Sequence, residues 1–280
     1  MIKKSLLLAL LLALPTVMKA GGDDDFGTWF ELGIKKNLPR NWDLGLEAEW
    51  RTEDGSSRTD RFGLGLQAGY RAHKYLKLGA SYSFLYQYSP DKTKDKEPDE
   101  DDEWTSGYNF YKKHWTPRHR TSLEASTSIK LWKWCRISLR ERYQYTYQPA
   151  EDVDRLKYRE VEDKHLVGFE NGQPIYEVDD MEVTQKWDVK SYDAEHTHYL
   201  RSRLKVEVDK KRLPWKPFLS IELQNDLSDA MSLHKVRAMV GTEYNINKQH
   251  SVQAAYVFSN KGEEENSRQH AFCVGYSYEF

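Results

Sequence analysis

The chain has 280 residues, with 42 Lys and Arg against 44 Asp and Glu, a formal net charge of −2 and a mean hydropathy of −0.84. That balance excludes the basic surface of a nucleic-acid binder. The low hydropathy excludes a bundle of apolar spanning helices, and 18 Tyr and 9 Trp weigh against a disordered chain.

Residues 1–20 read as a secretory leader. Lys3 and Lys4 supply the positive start, Leu6 to Leu14 the apolar stretch that Pro15 ends, and cleavage is expected after Ala20. The stretch is shorter than the ~20 apolar residues of a spanning helix. From Phe26 onward, apolar and polar residues alternate with period 2, the pattern of strands with one apolar face. Eleven such segments follow: 26–36, 41–52, 60–71, 75–88, 117–130, 134–148, 196–210, 216–226, 234–246, 250–260 and 268–280. They exceed the ~5–6 residues of a globular strand and match the ~9–11 of a tilted membrane strand. Short turns at Ala72–Lys74, Leu131–Lys133, Lys211–Pro214 and Asn247–Gln249 alternate with other connections, of which 89–116 and 149–195 are long. Membrane barrels keep short turns periplasmic and long loops outside, so both long segments are expected to be extracellular.

The last strand sets the frame. His270, Phe272, Val274, Tyr276, Tyr278 and Phe280 share one face. This ending resembles the C-terminal assembly signal of bacterial outer-membrane barrels, carried here by Tyr276, Tyr278 and Phe280, and implies the barrel-assembly machinery as a partner. With that end in the periplasm, the first strand runs inward from outside, and eleven strands cannot close antiparallel throughout. Barrels of this type have an even count. The reading is therefore all-β: a single antiparallel up-and-down transmembrane barrel of about 12 strands, with 10 as the alternative, spanning residues 21–280. The missing crossing is sought in 149–195 or in the packing of 26–36. No boundary suggests a second domain. The expected location is the bacterial outer membrane, in contact with its lipid and lipopolysaccharide.

Aromatic residues near strand ends (Trp29, Trp42, Trp50, Tyr70, Tyr86, Tyr88, Trp134, Tyr145, Tyr147, Trp215 and Tyr278) suit the girdles at the two bilayer interfaces. The opposite faces are charged. Glu47, Glu49, Arg51, Arg61, Arg71, Arg118, Arg120, Glu124, Arg136, Arg140, Arg142, Arg201, Arg203, Lys205, Glu207, Glu222, Arg237 and Glu243 are all expected to face the lumen. One consequence is a salt-bridged interior that stiffens the barrel. The other is a narrow pore for small anionic solutes, since arginine predominates in 117–130, 134–148 and 196–210.

Several of these segments also resemble a known family. Arg118-His119-Arg120, Arg136 to Tyr143, Leu200 to Leu204, Pro217 to Glu222, Trp29 with Arg51, and Leu78 to Tyr82 are similar to the uncharacterised bacterial outer-membrane barrel family known as the domain-of-unknown-function family numbered 2490. The resemblance covers nearly the whole mature chain. It implies an outer-membrane barrel and no particular activity.

A lipid-modifying enzyme is the alternative. Glu141 breaks the apolar face of its strand and is expected near Ser202, with His119 and His198 toward the outer rim. But His198 and Ser202 are four residues apart on one strand, roughly 13 Å at ~3.3 Å per residue, well beyond the ~2.6–3.2 Å of a nucleophile–base pair. The acidic run 91–103 lacks the ordered spacing and glycine of a calcium loop and is expected to be solvated and mobile. Cys135 and Cys273 show no metal-ligand spacing. No catalytic set, metal site or cofactor is expected.

Overall fold

The computed structural model describes residues 25–98, 104–132, 134–170, 173–210, 213–260 and 268–280; the expected leader lies outside the described residues. Fifteen strands, numbered in chain order, are β1 (Asp25–Asn37), β2 (Trp42–Glu53), β3 (Arg58–His73), β4 (Leu76–Ser89), β5 (Lys92–Lys96), β6 (Ser106–Tyr111), β7 (His114–Trp132), β8 (Cys135–Gln148), β9 (Glu151–Glu170), β10 (Gln173–Tyr192), β11 (Glu195–Val208), β12 (Trp215–Asp226), β13 (Ser232–Asn245), β14 (His250–Asn260) and β15 (Arg268–Glu279). Eleven of them close a barrel in the order β1-β15-β14-β13-β12-β11-β8-β7-β4-β3-β2. These are the eleven alternating segments, within a few residues at each end.

Closure departs from the expectation of an even count and antiparallel pairing throughout. β1 and β15 pair in parallel, from Asp25 opposite Gln269 to Lys35 opposite Glu279. The reason is geometric. With the chain reversing direction between consecutive barrel strands, an odd number of strands makes the first and last run the same way. No extra crossing is needed. Backbone bonds complete the seam at Phe280, whose N–H donates to Lys35 at 3.0 Å and whose carbonyl accepts from Asn37 at 3.0 Å.

The described residues of 88–116 and 149–195, where loops at 89–116 and 149–195 were expected, form a second compact unit. Its sheet has the order β10-β9-β6-β5. The sequence shows no domain boundary there, because β9 mixes charged residues into both of its faces and gives no clean alternation. Within 91–103, expected to be mobile, residues 92–96 are strand β5 paired to β6; residues 99–103 lie outside the described residues. Arg155 donates to Asp188 from Nε and Nη2 at 2.8 and 2.6 Å, and these bonds hold the Asp188 carboxyl well below the usual range. Tyr108 stacks on Tyr158 at 4.7 Å, and the Arg159 guanidinium lies 4.6 Å over the Trp104 ring.

The barrel's outer wall is apolar and exposed: Leu64 is 67% and Leu123 62% accessible. In-register aromatic pairs brace it, with Trp42 on Tyr70 at 4.9 Å, Trp50 on Phe62 at 6.4 Å and Trp215 on Tyr244 at 4.4 Å. Such cross-strand pairs contribute roughly 0.2–1 kcal/mol each. Trp29 corrects the girdle assignment: it is only 3% exposed and packs inside with Phe218, Ala255, Val257, Ala271 and Cys273. Its neighbours Phe30, Leu32 and Ile34 take the outer face, so strand alternation turns Trp29, Glu31 and Gly33 inward. Tyr88 belongs to the second unit, 5.2 Å from Trp115.

Glycine on the inner face makes room for charge. A Cβ added at Gly63 would lie 2.6 Å from Glu49 Cγ and 2.8 Å from Leu85 Cδ2. Gly63→Val is therefore expected to displace Glu49 and lower stability by about 1–3 kcal/mol. Urea titration of the detergent-folded protein measures this, and an unchanged midpoint would show that the inner wall yields freely.

Candidate functional site

Inward side chains of the barrel surround a cavity of about 350 Å³. Its wall carries Arg51, Arg120, Arg140, Arg142, Arg201, Arg203, Lys205 and Arg237, with Glu31, Glu47 and Glu49. Arg61, Glu124, Glu207 and Glu222 ion-pair with these groups from beside the wall. Nine bases thus meet six carboxylates, a formal surplus of three positive charges.

Strand register explains the contacts. Glu222 on β12 lies opposite Arg203 on β11 and opposite Arg237 on β13. It pairs with Arg203 at 2.7 Å, Arg140 at 2.9 Å, Arg237 at 3.4 Å, and closely with Arg201. Only 4% of its side chain is exposed. Arg201 also donates to Gln144 at 2.8 Å. Arg51 and Arg61 face each other across β2 and β3, a repulsive pairing. Glu49 resolves it by contacting Arg51 at 2.8 Å and Arg61 at 2.9 Å. Glu124 opposes Arg142 and pairs with it at 2.7 Å. Glu47 accepts from Gln67 at 2.9 Å.

Trp29 joins two halves of the wall. The guanidinium of Arg51 lies 3.9 Å over its ring and that of Arg237 5.1 Å. Cations stacked on indole gain roughly 0.5–2 kcal/mol. Sequence reasoning missed Trp29, Glu31 and Phe218 as lining residues, although the parity of β1 carried the signal for the first two.

The remaining expected lumen residues lie elsewhere. Arg136 pairs with Asp209 at 2.5 Å near the end of β11. Lys130, donating to Asp209, and then Arg136 hold that carboxyl below its usual range. Glu243 pairs with Lys216 at 2.9 Å. Arg71 is exposed at the end of β3. Arg118, like Arg120 on the cavity wall, forms no ion pair among the described residues, and the Nε of each is buried without an acceptor. Tyr276 bonds His250 at 2.5 Å, Tyr278 stacks on Phe280 at 5.4 Å, and Lys36 lies 5.1 Å over the Phe280 ring.

On the outer wall, Ser202 Oγ donates to Glu141 Oε2 at 2.5 Å, joining that expected pair. His198 bonds instead to Tyr143 at 2.8 Å, and His119 to Tyr82 at 2.8 Å. Ser202 thus has a carboxylate neighbour and, among the described residues, no bonded histidine. Among the described residues, no group of three or more His, Cys, Asp or Glu side chains converges to hold a metal.

A closed barrel that is apolar outside and charged inside satisfies every ladder hydrogen bond and offers lipid its apolar face, which defines a bacterial outer-membrane β-barrel. Residues 26–270 match the family described as "Protein of unknown function (DUF2490)", and the chain belongs to that family. No curated protein matches the chain. Among solved structures, it is similar to the translocator domain of autotransporter NalP from Neisseria meningitidis, with 13% identity over 86% of this chain and 80% of that one and a TM-score of 0.48.

Proposed function

We propose that this barrel is a narrow outer-membrane pore that favours small anions, its lumen stiffened by ion pairs. The observation that carries the reading is the 350 Å³ cavity walled by a surplus of arginine. A basic constriction in a low-dielectric wall raises the local concentration of anions and repels cations. The apolar cluster of Trp29 and Phe218 narrows the same lumen and favours a second reading, a non-conducting structural barrel. Neither reading calls on Ser202 as a nucleophile: it donates to Glu141 and, among the described residues, bonds no histidine. In both, lipopolysaccharide and phospholipid surround the wall, the segments 89–116 and 149–195 face outside, and Tyr276, Tyr278 and Phe280 engage the assembly machinery.

Planar bilayers decide between the two. Under a potassium chloride gradient, the purified barrel is expected to give a reversal potential on the chloride side. Arg120→Gln is expected to reduce that preference. A barrel that never conducts at any voltage or salt leaves the structural reading in place.

A further inference from the structure

The charges of the lumen do not close on themselves. Carboxylates serve most of the arginines, yet Arg120 pairs with none among the described residues, and the buried Nε atoms of Arg120, Arg140 and Arg237 lack acceptors. Arg120 is within electrostatic reach of Arg51, Arg61 and Arg201, with Glu49 the carboxylate that acts on it most. Arg237 is within reach of Arg51 and Arg201 as well. Arg120 on β7 and Arg237 on β13 stand four places apart in the barrel order and line one cavity. Surplus charge withdrawn from bulk water must be balanced by a counter-ion or a very wet site.

We infer that this chamber is a binding site for a multiply charged oxyanion of the phosphate class, held between Arg120 and Arg237 with Arg51 and Arg201 beside it. Three features select that chemistry over chloride. The formal surplus is three charges, which one polyanion neutralises in one place. The donors are planar guanidinium forks, which match paired phosphate or carboxylate oxygens and have no such fit to a spherical ion. The cavity, about 350 Å³, is large enough for a diphosphate or a small phosphorylated molecule. Its donors lie on different strands of a closed barrel, which fixes the backbone positions from which they reach the chamber. Trp29, stacked under both Arg51 and Arg237, sits where occupancy alters its surroundings.

The inference rests on the pore reading only in sharing its cavity; binding is measured without conduction. Inorganic pyrophosphate titrated into the detergent-folded full chain by calorimetry, at constant ionic strength set with sodium chloride, is expected to bind saturably. Inorganic phosphate is expected to bind more weakly at the same site. Arg120→Gln is expected to weaken pyrophosphate at least tenfold. Arg120→Lys, which keeps the charge and loses the fork, is expected to fall between the two. Arg71→Gln, exposed at the end of β3, is expected to bind as the parent does, and all variants are first shown to be folded by their faster migration before boiling. No saturable binding, or equal binding by Arg120→Gln, overturns the inference. Pyrophosphate binding by a barrel that never conducts supports the chamber and removes the pore. Anion-selective conductance that pyrophosphate neither blocks nor accompanies with binding does the reverse.

Discussion

Glu222→Gln is expected to be the most damaging single polar change in the barrel, lowering its unfolding free energy by about 3–5 kcal/mol. Glu222 is nearly inaccessible and neutralises parts of Arg140, Arg201, Arg203 and Arg237 on three other strands, β8, β11 and β13. Glutamine keeps the shape and one acceptor oxygen but removes the charge, leaving four guanidiniums facing one another in a confined space. The closed ladder fixes the backbone positions from which they extend, so side-chain rotation relieves only part of their mutual repulsion. Urea titration in detergent, followed by the loss of fast gel migration, measures the cost. A change below about 1 kcal/mol, the size of an exposed pair, would show that water already screens the lumen and that Glu222 is no hub.

Trp29→Ala is expected to cost a similar amount, about 3–5 kcal/mol, as for other large-to-small changes in packed interiors. Here the loss has a second consequence. The indole fills the lumen between Phe218 and the two stacked arginines, so its removal widens the passage while leaving the wall charges in place. Single-channel conductance of Trp29→Ala is expected to exceed that of the parent with anion preference retained. A variant that is destabilised yet no more conductive would place the constriction elsewhere. The two substitutions share Arg237, which contacts Glu222 at 3.4 Å and overlies Trp29 at 5.1 Å. Their costs should therefore be less than additive.

The architecture was readable because a membrane strand writes its two faces into alternate residues. Leu44, Leu46, Leu64 and Leu66 are exposed on the wall, and Glu47 and Glu49 line the cavity. The odd count was readable too, but its resolution was not. Parallel closure depends on which edge strands meet, and period-2 alternation carries no information about partner direction. The second sheet was missed for a related reason. Met181, Val183, Trp187 and Val189 share one face of β10, but β9 mixes charge into both of its faces, and such a strand is specified by pairing and by isolated contacts such as Arg155 with Asp188. Within the site, alternation assigned side chains to the lumen without ranking them. That Glu222 gathers four arginines while Arg120 pairs with no carboxylate among the described residues follows from cross-strand register, which a single strand's sequence does not contain.

The parallel seam between β1 and β15 has a topological corollary for how the two ends of the barrel can be addressed. An even-stranded barrel delivers the start of its first strand and the end of its last to one compartment. Here Asp25 and Glu279 lie at opposite rims. An epitope inserted just ahead of Asp25 and one appended after Phe280 would be displayed to different compartments, so the barrel wall itself passes the chain from one side of the membrane to the other.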